Sequence, residues 1–259
     1  MKISVCIPSY KRASQKIITA EYLPFVKVYV DQSEIKEYQK SNPKIKFIAC
    51  KKGIQGNISR VRNYILDTEF KAGADVVITL DDDIKFIGYY ESNKRQRLLS
   101  KDFMAFAYKY SSLCKDLGAH FWGININPDK QCYRENLPFS FLNFIGGPFQ
   151  AVLKSNKCRY DERLPLKEDY DFTIQNLNKY RRVLRINRYF YEAKQSQQAG
   201  GCACYRNAET EESQFVELQK KWGSNIVKRD SCADRSHKSI KGRKMEDYNP
   251  VIRVPIKGV

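Results

Sequence analysis

The sequence predicts an α/β protein, a mostly parallel central sheet with helices on both faces that continues into an α+β second half. Three observations carry this expectation. Short β-branched runs alternate with helix-like stretches through the first half, the pattern of βαβ units. Val76-Val77-Ile78-Thr79-Leu80 carries no charge and suits the interior of a sheet. That run passes directly into Asp81-Asp82-Asp83, and open α/β sheets collect their functional residues at the carboxyl ends of strands.

Lys2 to Ile7 reads as the first strand, Val26 to Val30 as the second, Ile45 to Ala49 as the third and Val76 to Leu80 as the fourth. Ile58, Val61 and Ile65 share one helical face, and Gly73 stops that helix before the fourth strand. The second half is less regular. His120 to Ile126 reads as a strand with His120 packed in the core, Phe144 to Leu153 as a strand bent at Gly146-Gly147-Pro148, and Asp169 to Tyr180 as a helix. After Gly200-Gly201 follow a Glu-rich helix, Glu209 to Trp222, and a basic tail. No repeat or linker divides the 259 residues, so one domain is expected, with halves at about 1–90 and 91–259.

No apolar run approaches the ~20 residues of a membrane span, and Met1 to Pro8 is too short for a signal peptide. A soluble, cytoplasmic protein is therefore expected. The eight cysteines are dispersed and read as reduced thiols in or near the core. The formal charge of +17 favours a polyanionic partner, nucleic acid first, with a generally cationic surface or an anionic membrane leaflet as alternatives. Eleven basic and four acidic residues lie between Lys220 and Val259, and Lys179-Tyr180-Arg181-Arg182 with Arg185 and Arg188 form a second basic cluster. With two histidines in the chain, a His-based nucleophilic triad has little support.

Three adjacent carboxylates repel one another unless a cation lies among them. Hard oxygen ligands at a strand end select Mg²⁺ or Mn²⁺, ions that leave positions open for substrate phosphates. The alternative is a solvated turn in which Asp82 or Asp83 caps a helix. A second acidic group, Glu168-Asp169, opens the helix after the bent strand, where the helix dipole alone also favours acids. Asp171 should point to a different side of that helix.

Ile7-Pro8-Ser9-Tyr10-Lys11-Arg12, Val30-Asp31-Gln32-Ser33, Gly53-Ile54-Gln55-Gly56-Asn57 and Leu80-Asp81-Asp82-Asp83 together resemble the GT-A glycosyltransferase fold over most of the chain. The resemblance makes the first half a nucleotide-sugar-binding half and the second an acceptor-binding half. It implies a nucleobase site at Pro8, Ser9, Tyr10 and Asp31, with Gln55 and Asn57 opening a helix that supports ribose and phosphates. Asp81-Asp82-Asp83 matches Asp-x-Asp, with Asp83 as direct ligand of Mn²⁺ or Mg²⁺ and Asp81 on the ribose or a metal-bound water. Lys11, Arg12, Arg60 and Arg62 are candidate phosphate ligands, or solvated surface residues. Asp169, with Glu168 beside it, takes the place of the carboxylate that accepts the proton of the attacking hydroxyl, implying an inverting enzyme. Gly146 and Gly147 permit close approach to the donor sugar, for which a UDP-sugar is favoured. His237 is implied as a further metal ligand, with Lys238, Lys241 and Arg243 closing over the diphosphate, and Gly200 and Gly201 form a loop near the substrate. Cys202, Cys204, Cys232 and His237 have zinc-ligand chemistry, but their spacing fits no compact zinc knuckle.

Within that superfamily, the Gly-Gly-Pro-Phe bend, the Lys-Glu-Asp-Tyr-Asp element and the Gln-rich Gly-Gly loop are similar to phage-type glycosyltransferases associated with TET-like DNA oxygenases. The similarity implies transfer of a sugar onto 5-hydroxymethylcytosine, or a related hydroxymethylpyrimidine, in bacteriophage DNA in the infected host cytoplasm. Phe139, Phe141, Tyr189 and Tyr191 are then candidates for stacking on the base, or core residues. A polysaccharide, lipid or protein acceptor, a nucleotidyltransferase and a non-enzymatic basic DNA-binding protein are the competing readings.

Overall fold

A computed structural model describes residues 1–92, 94–130, 133–194, 200–229 and 248–254. The first half alternates as the sequence predicts: β1 (Ile3–Pro8), α1 (Ile18–Tyr22), β2 (Lys27–Asp31), α2 (Ile35–Ser41), β3 (Lys46–Cys50), α3 (Ile58–Lys71) and β4 (Val76–Leu80). The second half contains β5 (Ile84–Glu91), β6 (Lys94–Arg97), α4 (Phe103–Asp116), β7 (Phe121–Asn125), β8 (Phe139–Ser140), β9 (Phe149–Leu153), α5 (Glu168–Tyr180) and β10 (Leu184–Ala193). It ends with α6 (Ala208–Trp222), β11 (Val227–Arg229) and β12 (Pro250–Ile252).

The large sheet has the order β3-β2-β1-β4-β9-β7-β10-β5-β6, with β8 paired to β10. Strands β1 to β4, β6, β7 and β10 run in one direction, and β5, β8 and β9 run against them. The sheet is thus mostly parallel in strand direction. All five residues of β4 are buried, as are all five of β7 and β9 beside it, so this is the sheet's two-sided core.

Helices cover both faces. On one face, Ala20 and Tyr22 of α1, Tyr38 of α2 and Phe103, Phe106 and Ala107 of α4 pack on Val5, Ile7, Val28, Val30, Ile78 and Trp122. On the other, Val61, Ile65 and Leu66 of α3 and Phe172 and Leu177 of α5 pack on Cys6, Tyr29, Val77, Phe121 and Val152. The 3.6-residue repeat of α3 therefore faces the sheet, as the sequence pattern requires. The Asn57 side chain caps α3 by accepting from the Arg60 N–H at 3.2 Å, and Gly73 ends the helix at φ +88°, a conformation that glycine adopts without strain. Helix α6 begins with a capping box, Asn207 and Thr210, and forms a smaller core with Leu164, Ile174 and Val227.

Two local expectations need correction. The stretch from Phe144 is not one bent strand: only Phe149–Leu153 pairs, because Gly146 to Pro148 turn the chain into β9. His120 is half-buried rather than in the core; its Nδ1 meets Ser155 Oγ at 2.7 Å and its ring packs on Tyr180. Cys6, Cys50, Cys114 and Cys158 are buried free thiols, whereas Cys202 is half-exposed and Cys204 exposed. No helix among the described residues is long and apolar enough to cross a membrane.

Candidate active site

The carboxyl ends of β1, β4, β7 and β10 open into one cavity of about 460 Å³. Its wall includes Pro8, Ser9, Tyr10 and Arg12 after β1, the three aspartates after β4, Ile126 after β7, and Tyr191, Ala193 and Lys194 at the end of β10. The approach to and start of α3, with Gln55, Gly56, Asn57 and Ile58, and the start of α5, with Glu168, Asp169 and Tyr170, complete it. Helix N-termini present free N–H groups and a positive dipole end, which suit phosphate or a carboxylate.

The aspartate loop is fixed through its main chain. Thr19 donates its hydroxyl to the Asp81 carbonyl at 2.6 Å and its N–H to the Asp82 carbonyl at 3.2 Å. The Asp81 N–H is bonded to the Pro148 carbonyl, and the Asp83 carbonyl accepts from Lys194 N–H at 2.9 Å. With the backbone held, the three side chains diverge. Asp82 is buried, accepts from Ser9 Oγ at 2.6 Å and pairs with the Arg12 guanidinium. Asp81 is more open and lies 3.5 Å from Arg62 Nη2. Asp83 makes no ion pair among the described residues, and burial, reinforced by the charges of Asp81 and Asp82, pushes its carboxyl up to about 7.

That donor set fits a divalent cation. No group of three or more His, Cys, Asp or Glu forms a metal cage among the described residues. An open site needs no cage: Mg²⁺ and Mn²⁺ bind one or two carboxylates and fill the remaining positions with phosphate oxygens and water. The carboxylates of Asp83 and Asp81 line the cavity and are hard oxygen groups of the kind such an ion takes.

The start of α5 brings the second acidic pair to the same cavity. Asp169 Oδ2 accepts from Gly147 N–H at 3.0 Å and Oδ1 from Tyr170 N–H at 2.9 Å, so its orientation is set by two backbone donors. Burial raises its carboxyl, against the opposing effect of Arg62 and the two N–H groups. Glu168 is also raised, first by burial and then by the charge of Asp169, and lies 3.5 Å from Arg62 Nη1. Asp171 points elsewhere, as expected, accepting from Trp222 Nε1 and pairing with Lys221.

Several sequence-predicted residues stand outside the cavity wall. Lys11 is exposed, with its N–H bonded to Glu34; Arg60 pairs with Glu162 and donates to the Gly53 carbonyl; Asp31 accepts from Ser33 in its own turn. Arg62, by contrast, is fully buried, held by Gln150 Oε1 at 2.5 Å and the Gly147 carbonyl at 2.9 Å. It lies on the inward stripe of α3 with Ile58, Val61 and Ile65, a spacing that marks it as a core-facing cation. Gln55 donates to the Tyr29 carbonyl at 3.2 Å while lining the cavity. The Gly200-Gly201 turn docks on the β1 loop through Gly201 N–H to the Tyr10 carbonyl at 2.8 Å, and a side chain on Gly200 (φ +97°) would lie 2.6 Å from the Lys11 carbonyl.

Cys202, Tyr205 and Arg206, reached through that turn, also line the cavity, as does the Phe144–Tyr170 ring pair; no motif in the sequence marked Tyr205 or Arg206. Phe139, Phe141 and Tyr189 are partly buried against the core, and of the four suggested stacking residues Tyr191 lines the cavity. His237, Lys238, Lys241, Arg243 and Cys232 lie outside the described residues, as do Gln195 to Ala199.

A profile of the TET-Associated Glycosyltransferase family matches residues 3–201. No curated protein sequence matches the chain. Among solved structures, glucosyl-3-phosphoglycerate synthase from Mycobacterium tuberculosis, in complex with Mn²⁺, UDP-glucose and phosphoglyceric acid, is similar with a TM-score of 0.50 at 10% identity, over 89% of this chain and 84% of that one. A197 from STIV aligns with a TM-score of 0.43 at 14% identity, over 80% of this chain and 92% of its own. The likeness to the synthase is one of fold, that of the GT-A nucleotide-sugar transferases.

Proposed function

The chain belongs to the TET-associated glycosyltransferase family, and from that membership we propose that it transfers a sugar from a nucleoside diphosphate sugar to the hydroxyl of a 5-hydroxymethylpyrimidine, 5-hydroxymethylcytosine first, in DNA. The single observation that carries the mechanism is that one cavity is lined by both the Asp81–Asp83 loop and the N-terminus of α5 bearing Asp169. A leaving diphosphate and an attacking hydroxyl require those two kinds of group on either side of the anomeric carbon.

In this reading the nucleotide lies along Pro8, Ser9 and Tyr10 and the start of α3. Asp81 and Asp83 are the residues that would hold Mn²⁺ or Mg²⁺, an ion that would supply positive charge for the leaving diphosphate. The Gly146-Gly147 turn leaves room for the sugar. Asp169 takes the proton of the hydroxymethyl group as its oxygen bonds to the anomeric carbon, and the bond from that carbon to the diphosphate oxygen breaks with its electron pair on the leaving group. Inversion follows if this displacement is a single step. Arg62 lowers the cost of keeping Asp169 and Glu168 ionised in a buried place. The net charge of +17 supports DNA as the carrier of the acceptor, in an infected-cell cytoplasm.

The solved synthase of the same fold contains Mn²⁺ and UDP-glucose, which makes Mn²⁺ and UDP-sugars the first conditions to assay. Nucleoside diphosphate release should require both a nucleotide sugar and hydroxymethylated DNA, and should be absent with unmodified DNA. Release that is indifferent to the modification would contradict the acceptor assignment.

A further inference from the structure

The cavity that would take the donor is also lined by aromatic rings. Asp169 is bonded to Gly147, and the residue before that glycine lies among Ile126, Phe144 and Tyr191. A Cβ on Gly146 would lie 2.6 Å from Ile126 Cγ2, 3.5 Å from the Tyr191 hydroxyl and 3.7 Å from Phe144 Cε1. Phe144 in turn stacks on Tyr170, with ring centroids 4.1 Å apart and planes within 9°. Tyr170 follows Asp169 directly on α5, so this wall begins one residue from the proposed base.

All four side chains line the cavity, and Ile126 is left 39% exposed although it sits beside this aromatic cluster. The same lining also contains Ser9, Gln55, Gly56, Asn57 and Arg12, groups that hydrogen-bond or carry charge. A site with polar groups for a nucleotide and flat aromatic rings beside a carboxylate is suited to a second, planar substrate.

We infer that Ile126, Phe144, Tyr170 and Tyr191 form the acceptor subsite, in which the pyrimidine ring extends the Phe144–Tyr170 stack and its hydroxymethyl group turns toward Asp169. The inference rests on the hydroxymethylpyrimidine reading above and names how that base is held. Stacking on a protein ring takes the place of stacking on a neighbouring base, so the target leaves the helix to react. Base–aromatic stacking tolerates any base because each has a π-face, so selectivity for the modified base falls to the contacts of its hydroxymethyl group.

The test uses the full chain with a short single strand carrying pyrrolocytosine, a base whose fluorescence is quenched by stacking. Wild-type protein and Tyr170→Phe are expected to quench it. Phe144→Leu and Tyr170→Leu should lose the quench and bind the strand roughly 5- to 150-fold more weakly. Their UDP affinity should be unchanged, which also shows that they are folded. Quenching that persists in both Leu variants, no quenching by the wild type, or UDP affinity that falls together with strand affinity would each overturn the assignment. The readout requires no sugar transfer, so a protein that quenches but does not glycosylate DNA retains the subsite and loses only the reaction.

Discussion

Arg62 Nη2 stands 3.5 Å from Asp81 Oδ1, so a fully buried guanidinium forms the junction between the two acidic groups of the cavity. Its other terminal nitrogen reaches Glu168 at 3.5 Å, and the fork is anchored by Gln150 and the Gly147 carbonyl. Replacing it with Met leaves buried carboxylates without a counter-charge. Arg62→Met should lose about 3–5 kcal/mol of stability, read as a lower urea midpoint. Arg62→Lys keeps the charge but not the planar fork and should recover only part. An unchanged midpoint in Arg62→Met would refute the bridging role.

Asp169 is held by two backbone N–H groups, one on each carboxylate oxygen, of which asparagine can keep one through its single carbonyl oxygen. Asp169→Asn cannot accept a proton. It is expected to lose about 10²- to 10⁴-fold in kcat while UDP affinity remains at the wild-type level. A loss confined to UDP binding would remove Asp169 from the role of base.

Asp83, which makes no ion pair among the described residues, gives a direct prediction about metal removal. Chelation should weaken UDP binding, and added Mn²⁺ should restore it in the wild type but not in Asp83→Ala, as measured by calorimetry. UDP affinity that ignores both Mn²⁺ and Asp83 would place the metal elsewhere.

Acid stability should depend on Glu69, far from the cavity chemistry. Burial alone would raise this carboxyl, but hydrogen bonds from Lys27, Tyr29 and Ser4 outweigh it and hold it below the usual carboxylate range. The native state therefore binds fewer protons at Glu69 than the unfolded chain. The contribution is fully present above the unfolded carboxylate pKa of about 4.3 and is lost as pH falls through the lower native value. The urea-midpoint advantage of wild type over Glu69→Gln should be constant above about pH 5 and narrow below it. An advantage that grows on acidification would reverse the sign and contradict the assignment.

The first four strands were legible within a residue at each end because β-branched runs and turn residues alternate there without competing signals. The placement of Asp81-Asp82-Asp83 directly after β4 was legible, but the different surroundings of the three side chains were not, since Asp82's burial against Arg12 and Ser9 depends on chain segments seventy residues away. The ten-residue strand β10 was hidden under its charges: Arg185 and Arg188 read as part of a basic cluster, although Leu184, Ile186 and Phe190 pack inward. Helix α4, rich in Phe and Tyr, carries a composition that suits strands as well as helices and went unassigned. Phe144 and Tyr170 are far apart in sequence and meet only because the Gly146-Gly147 turn folds against the start of α5.

The most direct test of the account is mass spectrometry of nucleosides from 5-hydroxymethylcytosine DNA after incubation with the protein, Mn²⁺ and a panel of nucleotide sugars. The account predicts a sugar mass added to the hydroxymethylated nucleoside alone, and none with Asp169→Asn. Donor turnover by the wild type that leaves every nucleoside mass unchanged would contradict it.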